Sequence, residues 1–256
     1  MFAQRSINGA HFLGFNVVNL QSGNFSDPPY VAAAAALHAG LLRYPGGNLA
    51  DFWDWRAGWC VANISAEGCP ACLNPCANKA PPRRYFLEEF RTAVEASGAR
   101  PVLMLNMLTG HLDDQLDFLQ HAESIGLLPP GAYVELGGEF YWGKFQGRWP
   151  SGLTYAVEAN AWARAIKERF PHVSAMAVAG HSIANRAPTD RGFLWNRDVY
   201  AALEASAAAV DGVTFHPYLH LGDDATGSGP LQPGVRPPVP GDGPTGHGAP
   251  TRQYSS

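Results

Sequence analysis

The segment Ala132-Tyr-Val-Glu-Leu-Gly-Gly-Glu-Phe-Tyr-Trp142 decides how this chain reads. A short apolar run ends in two glycines, then a carboxylate, Glu139, then three aromatic residues. Such runs recur along the chain. Phe12 to Leu20, Gly40 to Tyr44, Pro101 to Met107, Ala132 to Gly138, Val173 to Gly180 and Gly212 to Tyr218 each read as a strand. Between them lie helical stretches: Pro28 to Ala39, Arg84 to Ser97, Leu112 to Ile125, Thr154 to Phe170 and Trp195 to Ala209. In the second of these, Phe86, Leu87, Phe90 and Val94 fall on one helical face. Short apolar runs alternating with amphipathic segments are the signature of βα units around a parallel sheet. The expected fold is α/β of the (β/α)8 TIM-barrel type, incomplete, with about six βα units.

The incompleteness follows from the last stretch. Asp223 to Ser256 holds seven Gly and seven Pro, with Tyr254 as its only aromatic residue. Such a segment buries too little apolar area to offset its chain entropy, so it is expected to be a disordered tail. The expected division is a partial barrel over 1–222 and the tail over 223–256. Closure takes eight strands, and six precede the tail.

Composition excludes several functions. The 256 residues are 46% hydrophobic and carry a formal charge of -4, which leaves no basic surplus for a phosphate backbone, so no nucleic acid partner is expected. No apolar run reaches membrane-spanning length, and Met1 to Ala10 lacks the pattern of a signal peptide. Cys60, Cys69, Cys72 and Cys76 crowd into one loop. The spacing C-x8-C-x2-C-x3-C fits two disulfides better than a four-thiolate zinc site, with free thiols the plain alternative. Together with the acceptor patterns Asn24-Phe-Ser26 and Asn63-Ile-Ser65, this points to a secreted or lumenal protein. No Walker spacing, no G-x-G-x-x-G after a strand and no G-x-S-x-G occurs. Neither a cofactor nor a metal is expected.

In a parallel barrel the active site forms at the carboxyl ends of the strands. The polar residues ending each run are therefore the candidates: Asn16 and Asn19, then Arg43 through Asn48, Asn106, Glu139, His181, and His216-Pro-Tyr218. Glu139, followed by Phe140, Tyr141 and Trp142, is the candidate general acid, because burial against aromatic rings disfavours the charged carboxylate. An ordinary loop glutamate is the plain alternative. Arg43, Asn48, Asn106, Trp142, His181, His216 and Tyr218 are the candidate glycan-binding residues. Trp53, Trp55 and Tyr141 are as readily explained by covering a core edge, and the two histidines by backbone partners.

Leu42-Arg-Tyr-Pro-Gly-Gly-Asn-Leu-Ala-Asp-Phe-Trp-Asp-Trp55 resembles the second-strand motif of α-L-arabinofuranosidases in the large clan of retaining (β/α)8 glycosidases. Glu135-Leu-Gly-Gly-Glu139 resembles the clan's fourth-strand motif, shared with its heparanase-like β-glucuronidases, whose final Glu is the acid/base. His216-Pro-Tyr218 is similar to the sixth-strand ending, whose Tyr steadies the nucleophile. The likeness spans roughly residues 12 to 218 and implies a protein acting on or binding glycans. Two departures stand out. The clan has Asn, a substrate-hydroxyl ligand, where this chain has Gly138, and no Glu follows Glu204 to serve as the seventh-strand nucleophile. With that partner missing, Arg43 is expected to pair with Glu135, and turnover is expected to be slight or nil. The alternatives are a noncatalytic carbohydrate-binding protein and a cysteine-stapled interaction protein.

Overall fold

A computed structural model describes residues 14–16, 24–61, 76, 83–180 and 191–216. Six parallel strands carry the architecture: β1 (Gly14–Asn16), β2 (Leu41–Tyr44), β5 (Arg100–Leu105), β6 (Tyr133–Leu136), β7 (Ser174–Ala179) and β8 (Gly212–Phe215). They pair in that order, each with the next along the chain. A helix follows each of the first five: α1 (Pro28–Ala36), α2 (Leu87–Ser97), α3 (Leu112–Ser124), α4 (Gly152–Arg169) and α5 (Arg191–Ala205). The sheet is a partial, curled TIM barrel of six strands.

The elements form where local chemistry and burial agree. β5, buried from Pro101 to Leu105, is a continuous apolar run, as expected of a parallel strand covered on both faces. α1 opens on Pro28 and Pro29, where a missing N–H costs nothing. α2 and α3 carry acidic pairs in their first turns, Glu88 with Glu89 and Asp113 with Asp114. α4 has a capping box between Ser151 and Thr154 and ends on Lys167 and Arg169. α2 stops at Gly98, whose φ of 67° is open to glycine at little cost.

Register divides the two sides of the sheet. Arg43 lies beside Val102, Met104 beside Glu135, and Glu135 beside Met176. These residues share the concave side. Leu42, Leu103, Leu105, Val134, Leu136 and Ala177 take the convex side, under the helices. Tyr155 on α4 fixes that layer: its hydroxyl donates to the Leu136 carbonyl at 2.7 Å and accepts from the Val178 N–H at 2.8 Å. Trp195 on α5 donates to the Val178 carbonyl at 3.1 Å. α4 and α5 meet so closely that a Cβ on Gly152 would stand 2.3 Å from the Trp195 carbonyl oxygen.

Several boundaries differ from the sequence reading. α5 runs from Arg191 to Ala205 rather than from Trp195 to Ala209. Arg191 at its start is held by four backbone carbonyls, of Phe140, Tyr141, Trp149 and Pro150, partners no local periodicity displays. α2 begins at Leu87, because Tyr85 is drawn into a backbone bond with Gly58. Between β2 and α2 the sequence pattern predicts no helix or strand. The chain forms a 3-10 helix (Gly47–Phe52) and then an antiparallel hairpin of β3 (Trp53–Asp54) and β4 (Trp59–Cys60). Cys60 is disulfide-bonded to Cys76, which removes two of the thiolates a zinc site would need. Cys69 and Cys72 lie outside the described residues, as do the expected boundary at 222 and the whole tail. Among the described residues no helix is long and apolar enough to cross a membrane.

Candidate active site

The functional side chains reach the concave face from β1, β2, β6 and β8 and the segments that follow them. Arg43, next to last in β2, points there because Leu42 and Tyr44 on either side of it are buried under α2 in the core. Its Nε donates to Glu135 Oε2 at 2.6 Å and its Nη1 to Asn16 Oδ1 at 3.0 Å. This is the pairing expected for Arg43. Thr214 of β8 donates its hydroxyl to Glu135 Oε1 at 2.6 Å. His216, just past β8, sets its Nε2 3.0 Å from the same oxygen and its Nδ1 3.1 Å from Glu139 Oε1. Trp142 Nε1 then donates to Glu139 Oε2 at 2.8 Å. One chain of polar contacts thus runs from β1 to β8 through Asn16, Arg43, Glu135, His216, Glu139 and Trp142.

The electrostatics follow from this arrangement. Glu135 is 1% exposed. Burial works to raise its pKa, but the Arg43 charge and the hydrogen bonds from His216 and Arg43 prevail and hold it at about 2. Burial works to lower the pKa of His216, but hydrogen bonds to Glu135 and Glu139 prevail and raise it to about 9. At neutral pH the imidazole is therefore a cation whose two N–H groups can each face a carboxylate. It is satisfied by two carboxylates, of β6 and of the turn after it, rather than by backbone.

The remaining sequence candidates divide. Asn106 follows β5 at the same edge of the sheet, but its side chain serves β3 and its own turn. It donates to the Trp53 carbonyl at 3.1 Å and to Thr109 Oγ1 at 2.8 Å, and accepts from the Thr109 N–H at 2.9 Å. Asn48 is exposed on the 3-10 helix after β2. Trp53 lies in the core, its Nε1 3.2 Å from the Tyr44 hydroxyl, and Trp55 stacks on His121 away from the carboxylates. His181 and Tyr218 lie outside the described residues. Among the described residues no group of three or more His, Cys, Asp and Glu is placed to hold a metal ion.

One residue escaped the sequence reading. Asp51, in the 3-10 helix that follows β2, is fully buried, and among the described residues neither of its carboxyl oxygens has a hydrogen-bond partner. A Cβ placed on Gly138 would stand 2.7 and 2.9 Å from those two oxygens, so the Asp51 carboxyl lies against the backbone that leads into Glu139. Burial above all pushes its pKa up to about 8; Lys144 and Arg43 oppose the rise, and Glu139 and Glu135 add to it. The only sequence signal was an acidic residue inside an otherwise apolar turn, Leu49-Ala-Asp-Phe52.

This sheet, with its carboxylates at the carboxyl ends of parallel strands, matches solved sugar-cleaving barrels. Over 86% of its length the chain superposes on a thermostable α-L-arabinofuranosidase from Thermotoga petrophila, with a TM-score of 0.54 and 22% identity. The fold is that of the α-L-arabinofuranosidase barrel. The Thermotoga maritima enzyme in complex with arabinose matches over 81% of this chain, with a TM-score of 0.51 and 22% identity. A family 51 α-L-arabinofuranosidase from Bifidobacterium longum matches over 75%, with a TM-score of 0.51 and 21% identity. The chain spans less than half of each of these proteins: 46%, 44% and 39% in turn. No family model matches the sequence, and no curated protein matches it either.

Proposed function

We propose that the concave carboxyl edge of this sheet is a glycan-binding site of the glycoside hydrolase type, with Glu139 in the position of the proton donor. The observation that carries this reading is the shared imidazole: His216, past the end of β8, faces both Glu135 of β6 and Glu139 of the turn after it, while Trp142 bonds the second oxygen of Glu139. A carboxyl fixed on both oxygens beside an aromatic surface suits protonation of a glycosidic oxygen and stacking of a sugar ring. Arabinose is the first ligand to try, because a protein with this fold is known in complex with it.

Within the described residues the site favours binding over cleavage. A retaining glycosidase needs a second carboxylate, roughly 5 to 5.5 Å from the acid, to attack the sugar. Glu135 is the other carboxylate of this network, and it is 1% exposed with its oxygens engaged by Arg43, Thr214 and His216. It is not free to attack. We therefore read the chain as a glycan binder with little or no turnover of its own, and the Cys60–Cys76 bond as suited to an oxidising compartment.

Calorimetric titration with arabinose and arabino-oligosaccharides, run beside an assay on aryl α-L-arabinofuranosides, tests this. Binding is expected, with Trp142→Ala weakening it about tenfold through the lost stacking, and turnover no faster than in Glu139→Gln. Turnover well above that control would show a nucleophile at work. Absence of binding to any member of a glycan array would remove the reading altogether.

A further inference from the structure

Asn24-Phe-Ser26 matches the acceptor pattern for N-linked glycans and takes no part in the contacts around Glu139. The folded chain displays it in a specific way. Phe25 is fully buried, its ring packed against Tyr30, Tyr44, Tyr85 and Phe90. The residues on either side of it turn outward: Ser26 is exposed and Asn24 half-buried. The Asn24 Oδ1 accepts from the Ser26 hydroxyl at 2.6 Å and from the Ser26 N–H at 2.9 Å. Its Nδ2 has no partner among the described residues and is not buried, so it faces solvent. The turn closes just ahead of α1, where the Asp27 N–H donates to the Asn24 carbonyl at 3.0 Å.

We infer that Asn24 is a modification site, the acceptor of an N-linked glycan from a lipid-linked oligosaccharide diphosphate. The Nδ2 attacks the anomeric carbon of the first sugar. The N–C bond forms, the C–O bond to the diphosphate breaks, its electron pair leaves with the lipid diphosphate, and Nδ2 gives up one proton. The geometry favours this atom on three counts. The two donors on Oδ1 stabilise the charge that gathers there as Nδ2 loses its proton. The turn that supplies them spans only two residues, so it can form before the core does. Once Phe25 is buried the Nδ2 still faces outward, so a chain that already carries the glycan can complete its core. The Cys60–Cys76 bond suits the oxidising compartment in which such a transfer takes place.

The test passes the full chain, fused to an export leader, through the secretory pathway of a eukaryotic cell. Glycans are removed with peptide N-glycosidase in heavy-oxygen water, and the peptide that holds residue 24 is read by mass spectrometry, apart from the peptide that holds Asn63. Asn24 should return as aspartate carrying the heavy oxygen. Ser26→Thr keeps the hydroxyl and should keep the label, whereas Ser26→Ala and Asn24→Gln should lose it. Because transfer precedes folding, chain retained in the cell is read together with secreted chain, and a variant that folds poorly still reports. A wild type whose residue-24 peptide carries no label would overturn the assignment. So would a Ser26→Ala chain labelled as fully as the wild type. The inference stands apart from the reading of the Glu139 site, and its failure would leave that reading intact.

Discussion

At the scale of single residues, three groups of the site respond to pH in ways that can be told apart. Glu135, held at about 2 in the folded chain, contributes stability that is present above its ordinary range near 4.5 and is lost as pH falls toward 2. His216, raised to about 9, contributes stability that is full below about 6.5 and is lost as pH climbs through 9. Asp51, raised from 3.8 to about 8, acts in the same direction: the folded chain holds its proton, and stability drains away between about 4 and 8. The urea midpoint should therefore peak near pH 4 to 5 and fall steadily toward pH 9. Asp51→Asn should match the wild type near pH 4 and exceed it at pH 8, by a gain on the order of a few kcal/mol. No gain at pH 8 would mean that the buried carboxyl is not desolvated as described.

At the scale of elements, the convex layer depends on a few bridging side chains. The Tyr155 hydroxyl joins α4 to the end of β6 and to β7 through two backbone groups that are otherwise buried. Tyr155→Phe keeps the ring and leaves the Leu136 carbonyl and the Val178 N–H without that partner. The expected cost is about 2 kcal/mol, read as a lower urea midpoint with an unchanged slope. A loss under about 0.5 kcal/mol would mean that water replaces the hydroxyl. Arg191 works on the same scale. Its guanidinium gathers four carbonyls of the segment after β6, which carries Trp142, and so ties the aromatic side of the site to the start of α5.

At the scale of the whole molecule, the partial barrel leaves β1 and β8 with one described partner each, β2 and β7. Phe15 on β1 is 42% exposed and Phe215 on β8 is 50% exposed. Unpaired edges flanked by exposed aromatic rings favour association with another strand. The purified chain should sediment as more than a monomer at micromolar concentration, and the double substitution Phe15→Lys and Phe215→Lys should shift it toward monomer. A wild type that sediments as a monomer would show that these edges are already covered.

The sequence by itself determined the βα alternation, the six strands and the residues that end them, because periodicity and turn chemistry are local and act within about ten residues. It also placed Glu135 on the strand face of Glu139, since strand side chains alternate with period two, and so offered Glu135 as the partner of Arg43. Other features needed the tertiary structure. His216 lies 77 residues from Glu139 and 81 from Glu135, and only the sheet's curl brings one imidazole between them. Asn106 follows directly on its strand, yet its amide donates to the carbonyl of Trp53 in β3, more than fifty residues away. Asp51 reads as one acid in an apolar turn, and only the folded chain shows its carboxyl buried against Gly138 in the turn after β6. Contacts between residues this far apart depend on packing and on burial from water, and neither is written in any local pattern of the sequence.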